Sequence, residues 1–252
     1  RLANSIKEAK KPMIIFGQSA LESNSAKYIF ETMKSFLIKN NKISNEWNSL
    51  NVISENASTV GSFDLGLYKT NNGSNEILKD LENNKFEIVY LLGQDNLKFK
   101  KKNEFIIYQG SHGDKGAEIA DIILPGAAYT EQSGHYTNLE GKIQKAYKAS
   151  YPPGEAKEDW QIINDLAEVM NNRKLFNDKD ELESSMFNFL NLKKEKQKSG
   201  QFKEIHQDNF VNENLKISFE DYYFSNVIAR SSKTMINCNN SKIKIKRTGT
   251  EG

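Results

Sequence analysis

FIIYQGSHGDKGAEIADIILPGAAYTEQSGHYTNLEGKIQKAY, residues Phe105 to Tyr147, holds two short apolar runs, Glu104–Tyr108 and Asp121–Leu124. Both are β-branched and bounded by turn residues, the pattern of strands buried in a sheet. Between them lies a glycine-rich turn, Gly110 to Gly116, followed by a segment long enough for one or two helical turns. After the second run Pro125-Gly126 halts the sheet, because proline offers no N–H to a ladder and glycine accepts any turn geometry. A polar excursion follows, with a turn expected at Thr137–Lys142 between two short extended pieces. Strand, loop, strand and a long polar loop suit the C-terminal rim of an α/β sheet, where ligands often bind.

Working outward, the same pattern recurs. Met13–Gly17 and Glu87–Gly93 are compact apolar runs that end in glycine. After the first, Ala26, Ile29, Phe30, Met33, Phe36 and Leu37 lie at helical spacing and define one face of a helix. Leu50, Val52 and Ile53 are apolar, Trp47 reads as an anchor, and Glu76–Glu82 reads as a short helix. Alternating strands and helices imply an α/β fold with a mostly parallel, doubly wound sheet. This body is expected over residues 1–150. From Pro152-Pro153-Gly154 onward the character changes to helices, giving a C-terminal extension over 151–252. Ile162, Ile163, Leu166, Val169 and Met170 form a helical stripe expected to pack in the core, with Glu158 and Asp159 at the helix's positive end. A second helix at Asp180–Leu192 would bury Leu182, Met186, Phe189 and Leu190. Tyr222, Tyr223 and Phe224 read as an anchor for the end of the chain, Ile228–Met235 as helical, and Lys242–Arg247 as a mobile basic tail.

Composition excludes several classes. Charged residues make up 27% of the 252, and the formal net charge is only +2, so the basic stripe of a nucleic-acid binder is missing. No apolar run reaches the roughly 18 residues of a bilayer-crossing helix. Residues 1–8 are too mixed for a secretory signal. The chain has one cysteine, Cys238, and three histidines, His112, His135 and His206. An iron–sulfur cluster usually takes four thiolates and a structural zinc several Cys and His, so this chain is expected to hold neither.

The glycine motifs and polar clusters point to packing before chemistry. Gly17-Gln18-Ser19 lacks the glycines of a dinucleotide fingerprint or a P-loop, so packing is the expected role. Gly110–Gly116 has Gly-x-x-Gly-x-x-Gly spacing and no acidic ribose partner at the usual distance, which favours a tight turn. Gln94-Asp95-Asn96 suits a helix cap. His112, Asp114, Glu118, Asp121, Glu131 and His135 are the residue types of acid–base or metal chemistry, but a polar rim loop gathers such residues in any case. No catalytic, cofactor-binding or metal-binding residue is assigned.

Ala120–Ala128, with Glu131, Gly134, Thr137-Asn138, Glu140-Gly141 and Gln144, resembles the signature of molybdopterin-dependent oxidoreductases. The closer resemblance is to a branch of that superfamily without molybdenum chemistry, the large iron–sulfur subunits of respiratory complex I. Pro152-Pro153-Gly154, Glu158-Asp159-Trp160, Asp221-Tyr222-Tyr223 and Ile228-Ala229-Arg230 add to it. The resemblance implies a cofactor-free scaffold in the peripheral arm of an assembly that carries FMN and iron–sulfur clusters. That assembly passes electrons from NADH to ubiquinone and translocates protons. It implies further a cysteine-rich N-terminal half, expected as a separately encoded partner, other peripheral-arm subunits as neighbours, and a place on the matrix side of the mitochondrial inner membrane. The alternative is the cofactor-clasping half of an active molybdopterin enzyme such as a formate dehydrogenase.

Overall fold

Helix α1 (Leu2–Glu8) leads into the first apolar run, which forms strand β1 (Ile14–Gly17) and ends in a short 3-10 turn. The computed structural model describes residues 2–21, 23–44, 46–54, 56–67, 73–95, 100–197, 210–212 and 221–246. Helix α2 (Ala26–Lys39) carries the expected apolar face, with Leu37 fully buried and the Phe30 ring 5.9 Å from that of Phe16. Strand β2 (Leu50–Ile53) pairs in parallel with β1, and α3 (Thr59–Leu65) follows. Trp47 anchors the connection, its Nε1 donating to the Pro12 carbonyl at 2.9 Å. These elements belong to one compact unit, Arg1–Leu67 with His135–Gln144 and Ser185–Ser218.

The second unit comprises Tyr68–Gly134, Lys145–Ser184 and Phe219–Gly252. It holds α4 (Gly73–Glu82), β3 (Ile88–Leu92), β4 (Phe105–Gly110), α5 (Lys115–Ile119) and β5 (Ile122–Pro125). The three strands form one parallel sheet in the order β3-β4-β5, so the quoted stretch is a strand–helix–strand crossover as its pattern predicts. Pro125 closes β5 opposite Gly110 rather than lying beyond it. Its missing N–H does no harm at the last position of an edge strand. Successive side chains on a strand point to opposite faces. Tyr108, Ile106 and Leu91 form the buried core under Ala117, Ile119 and Ala120, while Gln109 is buried among polar partners.

Downstream, β6 (Gly134–Thr137) and β7 (Ile143–Ala146) pair as a two-stranded ribbon, the two extended pieces foreseen around Thr137–Lys142. Asn138 shapes the turn by accepting from the N–H groups of Glu140 and Lys142. Helix α6 (Asp159–Asn171) opens with a capping box of Glu158 and Gln161, and α7 (Lys179–Gln197) follows. A 3-10 turn at Tyr222–Phe224, α8 (Val227–Ser231) and α9 (Lys233–Lys246) complete the described residues. The Asn71–Ser74 turn, the end of the charged run at Lys193–Gly200, Leu215 and His206 fall wholly or partly outside them.

The stripe on α6 differs from its expected role. Ile162 is buried, but Val169 is 82% and Met170 72% exposed. The loop after the helix explains this. The Asn164 carboxamide accepts from the N–H groups of Leu175 and Phe176 and donates to the Phe176 carbonyl at 2.8 Å. That folds the chain over the flank bearing Asn164 and Ala167, which are the buried residues, and leaves the apolar flank beyond Ile162 uncovered. On α7, Leu190 is buried as expected, whereas Phe189 is half exposed.

Among the described residues the parallel strands fall into a two-stranded and a three-stranded sheet. Within the same residues no helix is long and apolar enough to cross a membrane.

Candidate functional site

In an open parallel sheet the ligand position is the crevice outside the carboxyl ends of the strands. Here that rim is built from the loop after β3 (Gln94, Asp95), the loop after β4 (Gly110–Asp114) and the loop after β5 (Gly126–Gln132). Its centre is Tyr108, whose ring bends back over the loop that follows it. A Cβ on Gly110 would collide with the phenol oxygen, and one on Gly116 would lie 2.8 Å from the ring and 2.7 Å from the Gln94 carbonyl. Gly110 and Gly116 therefore make room for a tyrosine, whereas a Cβ on Gly113 would meet nothing within 4 Å. Tyr108 donates to the His112 carbonyl at 3.0 Å. Burial pushes its ionisation up, and the nearby Asp95 and Asp114 carboxylates push it further against the pull of Arg230.

Arg230, from α8, joins the first two loops. Its Nε donates to Asp114 at 2.5 Å, its Nη2 to Asp95 at 3.0 Å, and its Nη1 to the Phe224 carbonyl at 3.2 Å. Of the Gln94-Asp95-Asn96 stretch expected to cap a helix, Asn96 lies outside the described residues; the Asp95 carboxylate takes this ion pair and its carbonyl accepts from Gly116. A guanidinium with its fork of donors binds two carboxylates better than a backbone N–H binds one. Asp114 also caps α5, accepting from the N–H of Lys115.

On the opposite face a polar network ties the sheet to α6. Gln109 is fully buried, and its Nε2 donates to Asp159 Oδ1 at 2.8 Å while its Oε1 accepts from the Tyr90 hydroxyl. Gln132 completes the circuit: its Nε2 donates to Asp159 Oδ2 at 2.9 Å and its Oε1 accepts from the Asp159 N–H. Burial, and then Asp159, push the Tyr90 ionisation up. Lys157 continues the sheet by one bridge, giving its N–H to Pro125 and its carbonyl to Ala127. Beside this, burial pushes the Glu158 carboxyl up, but Lys179 at 2.5 Å, Lys148 and Trp160 outweigh burial and hold it below its ordinary 4.5.

The six polar residues singled out by type are dispersed among structural tasks. Asp121 accepts from the Ile106 N–H at 2.8 Å and from Lys101 at 2.5 Å, and these bonds, the backbone one first, hold its carboxyl below the usual range. Glu131 accepts from the Ala128 N–H, His112 meets Ser111 through Nδ1, and Glu118 is exposed on α5. His135 belongs to the other unit, where its ring lies edge-on to Phe187. Among the described residues no three of His, Cys, Asp and Glu stand together as a metal ion would require. The residues that organise the rim, Gln109, Asp159 and Arg230, are ones whose roles the sequence does not announce. Asp159 and Arg230 do lie in the short stretches that carry the resemblance.

Residues 1–169 match the molybdopterin oxidoreductase family, and residues 181–238 match the C-terminal family of the G-type NADH-ubiquinone oxidoreductase subunits. The chain belongs to the molybdopterin oxidoreductase family. Its curated relatives include subunits of NADH-ubiquinone and NADH-quinone oxidoreductases. The 75 kDa subunit of Reclinomonas americana is 37% identical over 246 residues, covering 92% of this chain and 34% of that protein. The mitochondrial 78 kDa subunit of Candida albicans is 37% identical, over 92% of this chain and 33% of its own length. The G-type NADH-quinone oxidoreductase subunit of Rickettsia bellii is 38% identical, over 99% of this chain and 36% of its own length. The chain thus spans about a third of the length of these relatives.

The family name implies a pterin-bound metal, and among the described residues of this rim the chain's own side chains occupy the space that such a group would need. The Tyr108 ring fills the space above Gly110 and Gly116, and Arg230 fills the gap between Asp95 and Asp114. One cysteine, Cys238, does not amount to the four thiolates that a cluster takes.

Proposed function

We propose that this chain is the cofactor-free C-terminal scaffold of the large iron–sulfur subunit of complex I, in the peripheral arm that carries electrons from NADH to ubiquinone and supports proton translocation. The observation that carries this reading is the match of residues 181–238 to the C-terminal family of NADH-ubiquinone oxidoreductase subunits. It favours complex I over a pterin-clasping enzyme such as a formate dehydrogenase. The self-occupied rim supports it too, because a scaffold works by packing and exclusion of water. In this reading FMN and the iron–sulfur clusters belong to the rest of the assembly. The partners are the cysteine-rich, cluster-bearing portion, on a separate chain or on the same one, and the neighbouring peripheral-arm subunits, with no nucleic acid. The mitochondrial relative supports a mitochondrial place, and the proposal puts the chain on the matrix side of the inner membrane.

The same proposal keeps residues 1–150 as the α/β body and 151–252 as the helical extension with its basic tail. It also keeps a doubly wound sheet. Since β3-β4-β5 steps in one direction only, the reversal such a sheet needs would come from strands outside this set. The test is native isolation through a tag on this chain, with mass spectrometry of what accompanies it. The expected result is a cysteine-rich portion, other complex I subunits and FMN. Recovery of a formate dehydrogenase-type partner, or of the chain alone, would contradict it.

A further inference from the structure

We propose that residues 221–231 are a built-in strap whose Arg230 takes, from within the chain, the place of a ligand in the crevice between the loops after β3 and β4. The two loops each bring a carboxylate, Asp95 at 19% and Asp114 at 16% side-chain exposure. Two like charges withdrawn from water in this way repel each other and reject an anion. Arg230 resolves the conflict with all three of its nitrogens engaged: Asp114 on Nε, Asp95 on Nη2 and the Phe224 carbonyl on Nη1. The strap also carries hydrogen bonds of its own. Asp221 accepts from the Tyr223 N–H and Asn226 from the Ala229 N–H, each at 2.9 Å, which fixes the 3-10 turn and starts α8. Phe224, whose carbonyl holds the guanidinium, is the last residue of that turn.

The bridge joins residues 116 and 135 positions apart. Exposed ion pairs contribute little, but a guanidinium shared by two largely buried carboxylates leaves both uncompensated when it is removed. A lysine does not replace it, because one ammonium on a flexible stem lacks the planar fork. The crevice at the ligand end of the sheet is thus shut by the chain itself, and the closure depends on one side chain.

Hydrogen exchange on the full chain tests this. In Arg230→Ala, amides of residues 110–116 and 221–231 are expected to exchange about tenfold faster, with residues 14–17 and 50–53 unchanged. Millimolar ethylguanidinium should restore protection in Arg230→Ala and leave the unsubstituted chain as it was, while Arg230→Lys stays loose. Loosening confined to 221–246 with the 110–116 loop unchanged would overturn the proposal, as would indifference to ethylguanidinium. Should Arg230→Ala fail to fold, Asp95→Asn/Asp114→Asn keeps the arginine and is expected to loosen the same two segments. Full protection of the strap in that variant would overturn the proposal equally.

Discussion

The rim above β3, β4 and β5 and the outer flank of α6 lie in the same unit and are finished in opposite ways. At the rim, Asp95, Asp114 and Glu131 each have a named hydrogen-bond partner, as does Asp159 beside it on α6, and Tyr108 fills the space above Gly110 and Gly116. Along α6, Leu124, Pro125, Ile162, Leu166 and Val169 line an open groove of about 580 Å³, and Met170 stands 72% exposed. The end of a parallel sheet that ordinarily receives a ligand is closed, and the helix flank that ordinarily packs inward is open. Buried polar groups left half-satisfied are costly, so a rim this completely paired resists change. Exposed apolar residues cost a folded chain little and offer area to a neighbour. The contrast agrees with the proposed scaffold role, in which the chain acts by being packed against.

The contrast breaks most sharply at Gly116. Gly116→Val places carbon where the Tyr108 ring and the Gln94 carbonyl already stand, and about 3–4 kcal/mol of stability should be lost in denaturant titration. Next comes the network on the other face. Gln109→Leu keeps the volume but strands Asp159 Oδ1 and the Tyr90 hydroxyl, a loss of about 2–3 kcal/mol by the same measurement.

These two sites also mark where the sequence is legible. The strands β4 and β5 and the crossover between them follow from short β-branched runs and turn residues, which are local signals. The loop glycines signal a close approach, but what approaches is Tyr108 folding back on its own loop, and spacing does not encode a side-chain direction. Asp159, which Gln109 meets, and Arg230, which Asp95 meets, lie 50 and 135 residues away, beyond any window of periodicity. The sequence therefore offers Asp95 as a cap and gives no sign of its ion pair with Arg230. On α6 the periodicity identifies the residues that share a flank. Whether that flank is covered depends on Asn164 and on which way the following loop turns.

A smaller effect is expected at Glu158, with a definite pH signature. Its folded value lies below its ordinary 4.5, so its contribution is fully present above the unfolded value and is lost as pH falls through the folded one. Glu158→Gln should lower stability by about 1 kcal/mol at neutral pH, solvent screening of Lys148 and Lys179 keeping the figure modest. Thermal melts below pH 4.5 should show the variant and the unsubstituted chain converging. Smallest of all, Val169→Ser/Met170→Ser should change stability by less than about 0.5 kcal/mol. A large loss there would mean that the flank is packed by this chain and would erase the contrast.

The proposed scaffold role in a complex I-type assembly leaves the chain no pterin chemistry of its own, and elemental analysis of the natively isolated assembly tests that proposal most directly. The expected result is abundant iron, with no molybdenum or tungsten above background. Stoichiometric molybdenum, with a pterin released on denaturation, would contradict it.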